Sequence, residues 1–157
     1  MLSTATISKE KFDPYLRVHG QSSLAGEVTV SGAKNSALVL MTASLLTEEP
    51  IRLKNVPELT DIGGMGQILQ SIGVKLNRSK GIVNLQAKQI HHAEPSYELV
   101  NGLRASFFCI GPLLGRFGKA KIPLPGGCRI GARPVNEHIR GLKAFGALVT
   151  VEHGVVT

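Results

Sequence analysis

Leu69-Gln70-Ser71-Ile72-Gly73, followed by Gly81, is matched later in the chain by Leu142-Lys143-Ala144-Phe145-Gly146, followed by Gly154. The leucine and both glycines recur at the same offset of 73 residues. In each copy an apolar helical pattern stops at the first glycine, and short alternating segments flank the second. A repeated unit of helix and strand predicts an α/β domain assembled from copies that bury their helices against one another.

Working outward from this match, each unit is predicted to run helix, strand, helix, strand, strand. The predicted helices cover residues 37–46, 60–72, 96–115 and 134–145, and the predicted strands cover 15–19, 27–30, 50–56, 74–76, 82–85, 119–124, 147–151 and 155–156. The first helix is apolar on nearly all sides, which predicts complete burial. In the third, Pro112 is expected to end or kink the helix. In the fourth, Val135, Ile139, Leu142 and Phe145 are expected to form one apolar side.

The composition favours a soluble protein that binds a small anionic ligand. The 157 residues are 43% hydrophobic but only 4% aromatic, so the core is expected to be aliphatic. The net charge of +7 suits anionic partners, but the basic residues are scattered and not interleaved with aromatic ones, so a phosphate-bearing small molecule fits better than nucleic acid. There is no apolar signal segment and no run near the ~20 apolar residues of a membrane span, so we expect a cytoplasmic protein without a membrane contact.

The most specialised stretch is Pro125-Gly126-Gly127-Cys128-Arg129-Ile130-Gly131-Ala132-Arg133-Pro134. Its glycines leave backbone N–H groups free to face an anion, and the arginines and the following helix start favour a thiolate at Cys128. A tight turn around an inert buried cysteine is the alternative reading. The other cysteine, Cys109, lies in an apolar context and is expected in the core. No cysteine or histidine spacing indicates a disulfide or a metal site.

If successive copies of the unit pack together, the N-termini of their helices could converge. Lys34 and Asn35 lie at the start of the first helix, Arg104 lies in the third, and Arg133 and Pro134 precede the fourth. Helix N-termini attract anions, so these polar residues are candidates for one shared anion-binding pocket.

Three motifs together resemble the UDP-N-acetylglucosamine 1-carboxyvinyltransferases, the enolpyruvyl transferases that begin peptidoglycan precursor synthesis. These motifs are Ser31-Gly32-Ala33-Lys34-Asn35, Leu103-Arg104-Ala105-Ser106 and the cysteine stretch that ends at Pro134. The resemblance runs from about Leu16 to the end of the chain. The related enzymes that make enolpyruvylshikimate phosphate typically carry Lys-Ser where this chain has Lys34-Asn35, and they lack the Gly-Gly-Cys loop.

The resemblance implies an inside-out α/β barrel built from βαβαββ-like units, of which this chain would hold an N-terminal portion. Residues 1–14 are then expected to be a flexible tail, and residues 15–33 to be first strands that pack with a missing second domain. Residues 34–157 are expected to form about two repeat units of the domain that carries the catalytic loop. The whole enzyme is expected to be a cytoplasmic monomer that uses no cofactor or metal.

The resemblance also implies residue roles. Lys34 and Asn35 would contact phosphoenolpyruvate, and Lys34 would be catalytic, because it would stabilise the charge that develops near the carboxylate and phosphate. Arg104 would contact substrate phosphates, and Cys128 would be the general acid and the target of the epoxide inhibitor fosfomycin. The residues implied to line the region for UDP-N-acetylglucosamine and phosphoenolpyruvate are Arg133, Pro134, Val135, Asn136 and Glu137. The family usually has Asp at position 136, so the nucleotide contact expected there lacks its charge.

Two other functions remain open from the sequence. A truncated homologue could bind a nucleotide sugar without turning it over, and a basic module could bind nucleic acid. Titration with UDP-N-acetylglucosamine together with a phosphate-release assay separates the first from an active transferase, and filter binding tests the second.

Overall fold

A computed structural model of the chain describes residues 6–8, 15–20, 23–91, 94–125 and 134–157. The chain divides into two compact units, Met1–Val30 and Ser31–Thr157. No helix in the described ranges is long and apolar enough to cross a membrane.

The first unit contains one antiparallel strand pair, β1 (Thr6–Ser8) with β2 (Tyr15–Arg17). The sequence predicts no strand in residues 1–14, because β1 is too short to show a clear alternation. The strand predicted over residues 27–30 is wrong. Val28 and Val30 are 88% and 80% exposed there, and the segment pairs with no other described strand, although its residues alternate as in a strand.

The second unit begins with α1 (Lys34–Ala43), which continues into a 3-10 turn (Ser44–Leu46) and then β3 (Ile51–Leu53). Next follow α2 (Thr60–Ser71), β4 (Lys75–Ser79) and β5 (Ile82–Gln86). The chain continues with α3 (Tyr97–Asn101), a 3-10 segment (Arg104–Cys109), α4 (Ile110–Phe117) and β6 (Ile122–Pro123). The last described elements are α5 (Asn136–Ala144), β7 (Val151–Glu152) and β8 (Val155–Val156).

Two three-stranded antiparallel sheets in this unit share one strand order. The first is β3-β5-β4 and the second is β6-β8-β7, so in both the last strand along the chain lies in the middle. In both, a helix connects the first strand to the second. This common topology is the arrangement that the sequence repeat predicts.

The repeated leucine–glycine pairs end the helices of the two copies in the same way. The N–H of Val74 donates to the carbonyl of Leu69 at 3.0 Å, and the N–H of Gly73 donates to that of Gln70 at 3.0 Å. Residues 142–147 make the equivalent pair of bonds at 3.0 and 2.9 Å. Both ends are Schellman motifs, in which the glycine takes a positive φ, here +110° and +92°.

The second glycine of each repeat lies in a two-residue hairpin turn. Lys80 and Gly81 connect β4 to β5, and His153 and Gly154 connect β7 to β8. All four residues have positive φ, which is the type I′ conformation that suits the twist of paired strands. The glycines of the repeat are therefore required by backbone geometry, and they fix the register of both hairpins.

The core is mainly aliphatic, as predicted. It includes Leu38, Met41 and Leu45 from the first helical segment and Ile62, Met65, Ile68 and Leu69 from α2, all at most 2% exposed. Complete burial of residues 37–46 is wrong, because Val39, Leu40 and Leu46 are 48%, 51% and 57% exposed. Only the face that carries residues 37, 38, 41 and 42 meets the core, since positions three and four apart share one side of a helix.

The single helix predicted over residues 96–115 is in fact three segments. Leu103 has an extended backbone with φ −139° and ψ 108°, which separates α3 from the 3-10 segment. Pro112 neither ends nor kinks α4, because it lies in the first turn, where its missing N–H has no intrahelical partner to lose. Phe145 lies past the end of α5 and is 93% exposed, so its predicted place on the apolar side of that helix is wrong.

Candidate functional site

The starts of four helical segments line one cavity of about 560 Å³. Lys34 and Asn35 begin α1, Asp61 lies in the first turn of α2, Arg104 begins the 3-10 segment, and Val135 is the N-cap of α5. Each helix start presents backbone N–H groups without an intrahelical acceptor and the positive end of a dipole. Several points of the cavity wall are therefore helix starts, which favour a bound anion.

Lys34 is held at the edge of this cavity by an ion pair. Its Nζ donates to Oδ2 of Asp61 at 2.6 Å, and the two side chains are 43% and 36% exposed. The pair joins the first turn of α1 to the first turn of α2. This contact is not predictable from the sequence, because an acidic residue in the first turn of a helix is an ordinary stabilising feature that indicates no partner.

Arg104 begins the 3-10 segment and also lines the cavity. Within the described residues its guanidinium has no carboxylate at ion-pair distance and no hydrogen-bond partner, and its residue is exposed. A guanidinium presents a planar fork of five N–H donors that matches phosphate and carboxylate oxygens. Arg104 is thus available to an anionic ligand.

The rest of the cavity wall is largely apolar. It includes Leu38, Leu103 and Phe107, and His138 from α5 packs edge-on against the Phe107 ring with centroids 5.4 Å apart and planes at 83°. Phe107 is only 3% exposed, so this contact anchors His138 on a fixed surface. Cations beside an apolar wall suit a ligand that carries both a dense anion and a less polar portion.

The structure brings together only some of the residues that the sequence analysis selected. Lys34, Asn35 and Arg104 line the same cavity, as the convergence of helix starts predicts, and Val135, which was selected by the resemblance, lines it too. The other three described candidates, Pro134, Asn136 and Glu137, are exposed and do not line it.

Glu137 instead forms an i,i+3 ion pair with Arg140 at 2.5 Å and borders a separate apolar pocket. Cys128 and Arg133 lie outside the described residues. Asp61 and His138 line the cavity but were not selected from the sequence.

Cys109 is a core residue, as predicted. It is 0% exposed, and burial raises the pKa of its thiol to about 12. A thiol in this state is a poor nucleophile near neutral pH. Within the described ranges, no three His, Cys, Asp or Glu side chains are grouped so that they could hold a metal ion.

Comparison with known proteins gives consistent matches. The model of the EPSP synthase (3-phosphoshikimate 1-carboxyvinyltransferase) family matches residues 18–157. Curated relatives named UDP-N-acetylglucosamine 1-carboxyvinyltransferase include those of Prochlorococcus marinus (strain MIT 9313), 67% identical, and Synechococcus sp. (strain CC9605), 62% identical. Both matches cover 100% of this chain but 36% of the relative, so the chain spans about a third of the length of the curated relatives it matches.

Among solved structures, the chain is similar to the crystal structure of the enolpyruvyl transferase NikO from Streptomyces tendae. The TM-score is 0.72 at 23% identity, over 88% of this chain and 30% of that one. At this identity the match supports a common fold.

Proposed function

This chain belongs to the EPSP synthase family, and from that premise we propose that it is the N-terminal portion of an enolpyruvyl transferase acting on UDP-N-acetylglucosamine. The enzyme moves the enolpyruvyl group of phosphoenolpyruvate to the 3-hydroxyl of the sugar and releases phosphate, which is the first committed step of peptidoglycan precursor synthesis. The names of the relatives at 62–67% identity support this acceptor.

The observation that carries the proposal is the cavity that contains both Lys34 and Arg104. Phosphoenolpyruvate is a small molecule with a phosphate and a carboxylate, and UDP-N-acetylglucosamine adds a diphosphate. Helix starts and two separate cations stabilise such charges without a metal, because N–H groups and ammonium or guanidinium donors bind the oxygens directly. One exposed helix start stabilises an anion by about 0.3–1 kcal/mol. Several starts together with two cations therefore stabilise a bound anion more than one start alone.

In this proposal Lys34 and Asn35 contact phosphoenolpyruvate, and Arg104 contacts substrate phosphates. The 3-hydroxyl oxygen bonds to C2 of phosphoenolpyruvate and gives its proton to a base of the complete enzyme, while the methylene carbon receives a proton from Cys128, which is left as the thiolate. Phosphate then leaves C2 as a proton is lost from the new methyl group, which restores the double bond. Cations near the phosphate and carboxylate stabilise the charge that develops in both steps.

The sugar nucleotide occupies the start of α5 and the loop before it, through Arg133, Pro134, Val135, Asn136 and Glu137. Of the four members of this group that the structure describes, Val135 lines the cavity, and the contacts of Pro134, Asn136 and Glu137 depend on a closed arrangement around the bound substrates. Asn136 supplies a neutral amide where the family usually has a carboxylate. The contact of Asn136 with the nucleotide is therefore a hydrogen bond from a neutral side chain.

The proposal includes the architecture of the whole enzyme. The fold is an inside-out α/β barrel, of which residues 34–157 supply about two βαβαββ-like units. Residues 15–33 pack with a second domain, and residues 1–14 form a tail that is joined to them by the pairing of β1 with β2. The complete enzyme is a cytoplasmic monomer whose partners are its two small-molecule substrates rather than nucleic acid or membrane. Because the chain spans about a third of its relatives, residues 1–157 alone are expected to be inactive.

Phosphate release by the complete gene product that carries residues 1–157 tests the proposal. Release is expected with phosphoenolpyruvate and UDP-N-acetylglucosamine together, and not with either substrate alone. Shikimate 3-phosphate serves as the matched acceptor control, because the family model is that of the enzyme that uses it. Release with shikimate 3-phosphate but not with the nucleotide sugar overturns the proposed acceptor. Tight binding of UDP-N-acetylglucosamine without release indicates a non-catalytic homologue.

A further inference from the structure

Asp61 places a negative charge in a cavity that otherwise favours anions. Among the described residues that line this cavity, it alone carries a carboxylate. A carboxylate repels an anionic ligand, and an exposed ion pair contributes little to folding. Binding of the substrate anion does not account for this charge. The helix dipole stabilises a carboxylate at this position, but it does not require the contact of that carboxylate with Lys34.

We infer that Asp61 is a positioning residue that holds the ammonium of Lys34 for the chemical step; this inference rests on the proposed function. A lysine side chain is a flexible four-carbon stem with a point charge at its end, so it needs an external partner to stay in one place. The 2.6 Å contact with Asp61 uses one of the three N–H donors of the ammonium. Two donors remain for the oxygens of phosphoenolpyruvate.

The backbone makes Asp61 a suitable anchor. It lies in the first turn of α2, where the helix dipole stabilises its negative charge. The same helix contributes Ile62 and Met65 to the core at 1% and 0% exposure, so the turn that carries the carboxylate is fixed by packing. Lys34 is the first residue of α1, which packs against α2. The contact therefore joins two packed elements.

An ammonium that is held in one position stabilises the transition state more than it strengthens the binding of the substrate. Catalysis by a charge depends on its being in place as new charge develops, and a small misplacement is costly. Removal of Asp61 also removes a negative charge that repels the substrate. Loss of Asp61 is thus expected to lower kcat without raising the KM for phosphoenolpyruvate.

The test is steady-state kinetics of Asp61→Ala in the complete gene product. We expect kcat to fall about tenfold or more, with a KM for phosphoenolpyruvate that is unchanged or lower. Glu94→Ala is the matched control, because Glu94 forms a similarly exposed pair with Lys121 at 2.9 Å away from the cavity. In a Lys34→Met background, Asp61→Ala is expected to have no further effect, since it acts through Lys34.

A second readout does not require activity. The ¹⁵N order parameter of the Lys34 ammonium, measured by NMR on the free protein, is expected to fall in Asp61→Ala and to stay unchanged in Glu94→Ala. An unchanged kcat, or a raised KM at constant kcat, overturns the inference. If the unaltered protein releases no phosphate, the proposed function fails, and an order parameter that Asp61→Ala leaves unchanged then overturns the positioning role separately.

Discussion

Replacement of Arg116 by methionine is expected to destabilise the second unit by about 3 kcal/mol. Arg116 lies in the last turn of α4 with its side chain 16% exposed. Its Nη1 donates to the carbonyls of Leu45 at 2.9 Å, Thr47 at 3.2 Å and Ala87 at 2.8 Å. One guanidinium therefore connects α4 to the end of the helical segment that begins at Lys34 and to the chain that follows β5.

The magnitude follows from the two shortest contacts. Leu45 and Ala87 are both 0% exposed, so water cannot replace the donor that their carbonyls lose. A hydrogen bond to a charged group contributes about 1.5–3 kcal/mol, and the low end for two of them gives the figure above. The contact of Nη2 with Glu48 at 3.2 Å adds little, because that carboxylate is 62% exposed. Methionine keeps most of the packing of the arginine stem.

Urea denaturation followed by circular dichroism measures this effect. With a slope of about 1–3 kcal/mol per molar urea, the midpoint is expected to fall by about 1–3 M. Arg140→Met is the matched control, since Arg140 is 80% exposed and its change is expected to stay within about 0.5 kcal/mol. The reasoning is refuted if the midpoint of Arg116→Met shifts no more than that of the control.

Three further predictions concern the core thiol, the helix ends and the cavity. Because burial raises the pKa of Cys109 from 9.0 to about 12, iodoacetamide is expected to label it only after unfolding, as measured by intact mass. The same shift stabilises the folded state, and this contribution is fully present below pH 9. Between pH 9 and 12 the free energy of unfolding is expected to fall by up to about 1.4 kcal/mol per pH unit, and Cys109→Ala should remove this fall. Gly73→Ala is expected to lower the free energy of unfolding by about 2 kcal/mol or more, because φ is +110° and a Cβ would lie 2.3 Å from the carbonyl oxygen of Gln89. Gly141→Ala in α5 should raise the free energy of unfolding by about 0.5–1 kcal/mol, because a Cβ there would have no atom of another described segment within 4 Å. Equal thermal shifts for the two variants would contradict this account. Arg104→Gln is expected to weaken phosphoenolpyruvate binding about tenfold in calorimetry, and an unchanged affinity would exclude a contact with the substrate.

The family and the repeat were both accessible from the sequence, and the family is confirmed by the match over residues 18–157. The repeat was visible because each of its glycines is required locally, at a helix end or in a hairpin turn. The break at Leu103 was not visible, because the residues around it also suit a helix and only their packing selects an extended backbone. The sequence likewise does not show which face of α1 is buried, because that depends on the elements that pack against the helix.

The sequence predicted only part of the candidate site. Lys34, Asn35 and Arg104 could be grouped because helix starts share one electrostatic property, whatever the tertiary structure. The contact of Lys34 with Asp61 could not be found, since 27 residues separate the two side chains and only the packing of α1 on α2 brings them together. Glu137 was selected by resemblance, but it faces another pocket and a nearby arginine.

The most direct test of the proposed site is intact-mass and peptide analysis of the complete gene product that carries residues 1–157, after treatment with fosfomycin with and without UDP-N-acetylglucosamine. The account predicts that Cys128 is modified, that the nucleotide sugar increases the modification, and that the buried Cys109 stays unmodified as an internal control. Absence of modification at Cys128, or equal modification of both cysteines without any effect of the nucleotide sugar, would contradict the proposal that this chain carries the cysteine of an enolpyruvyl transferase site.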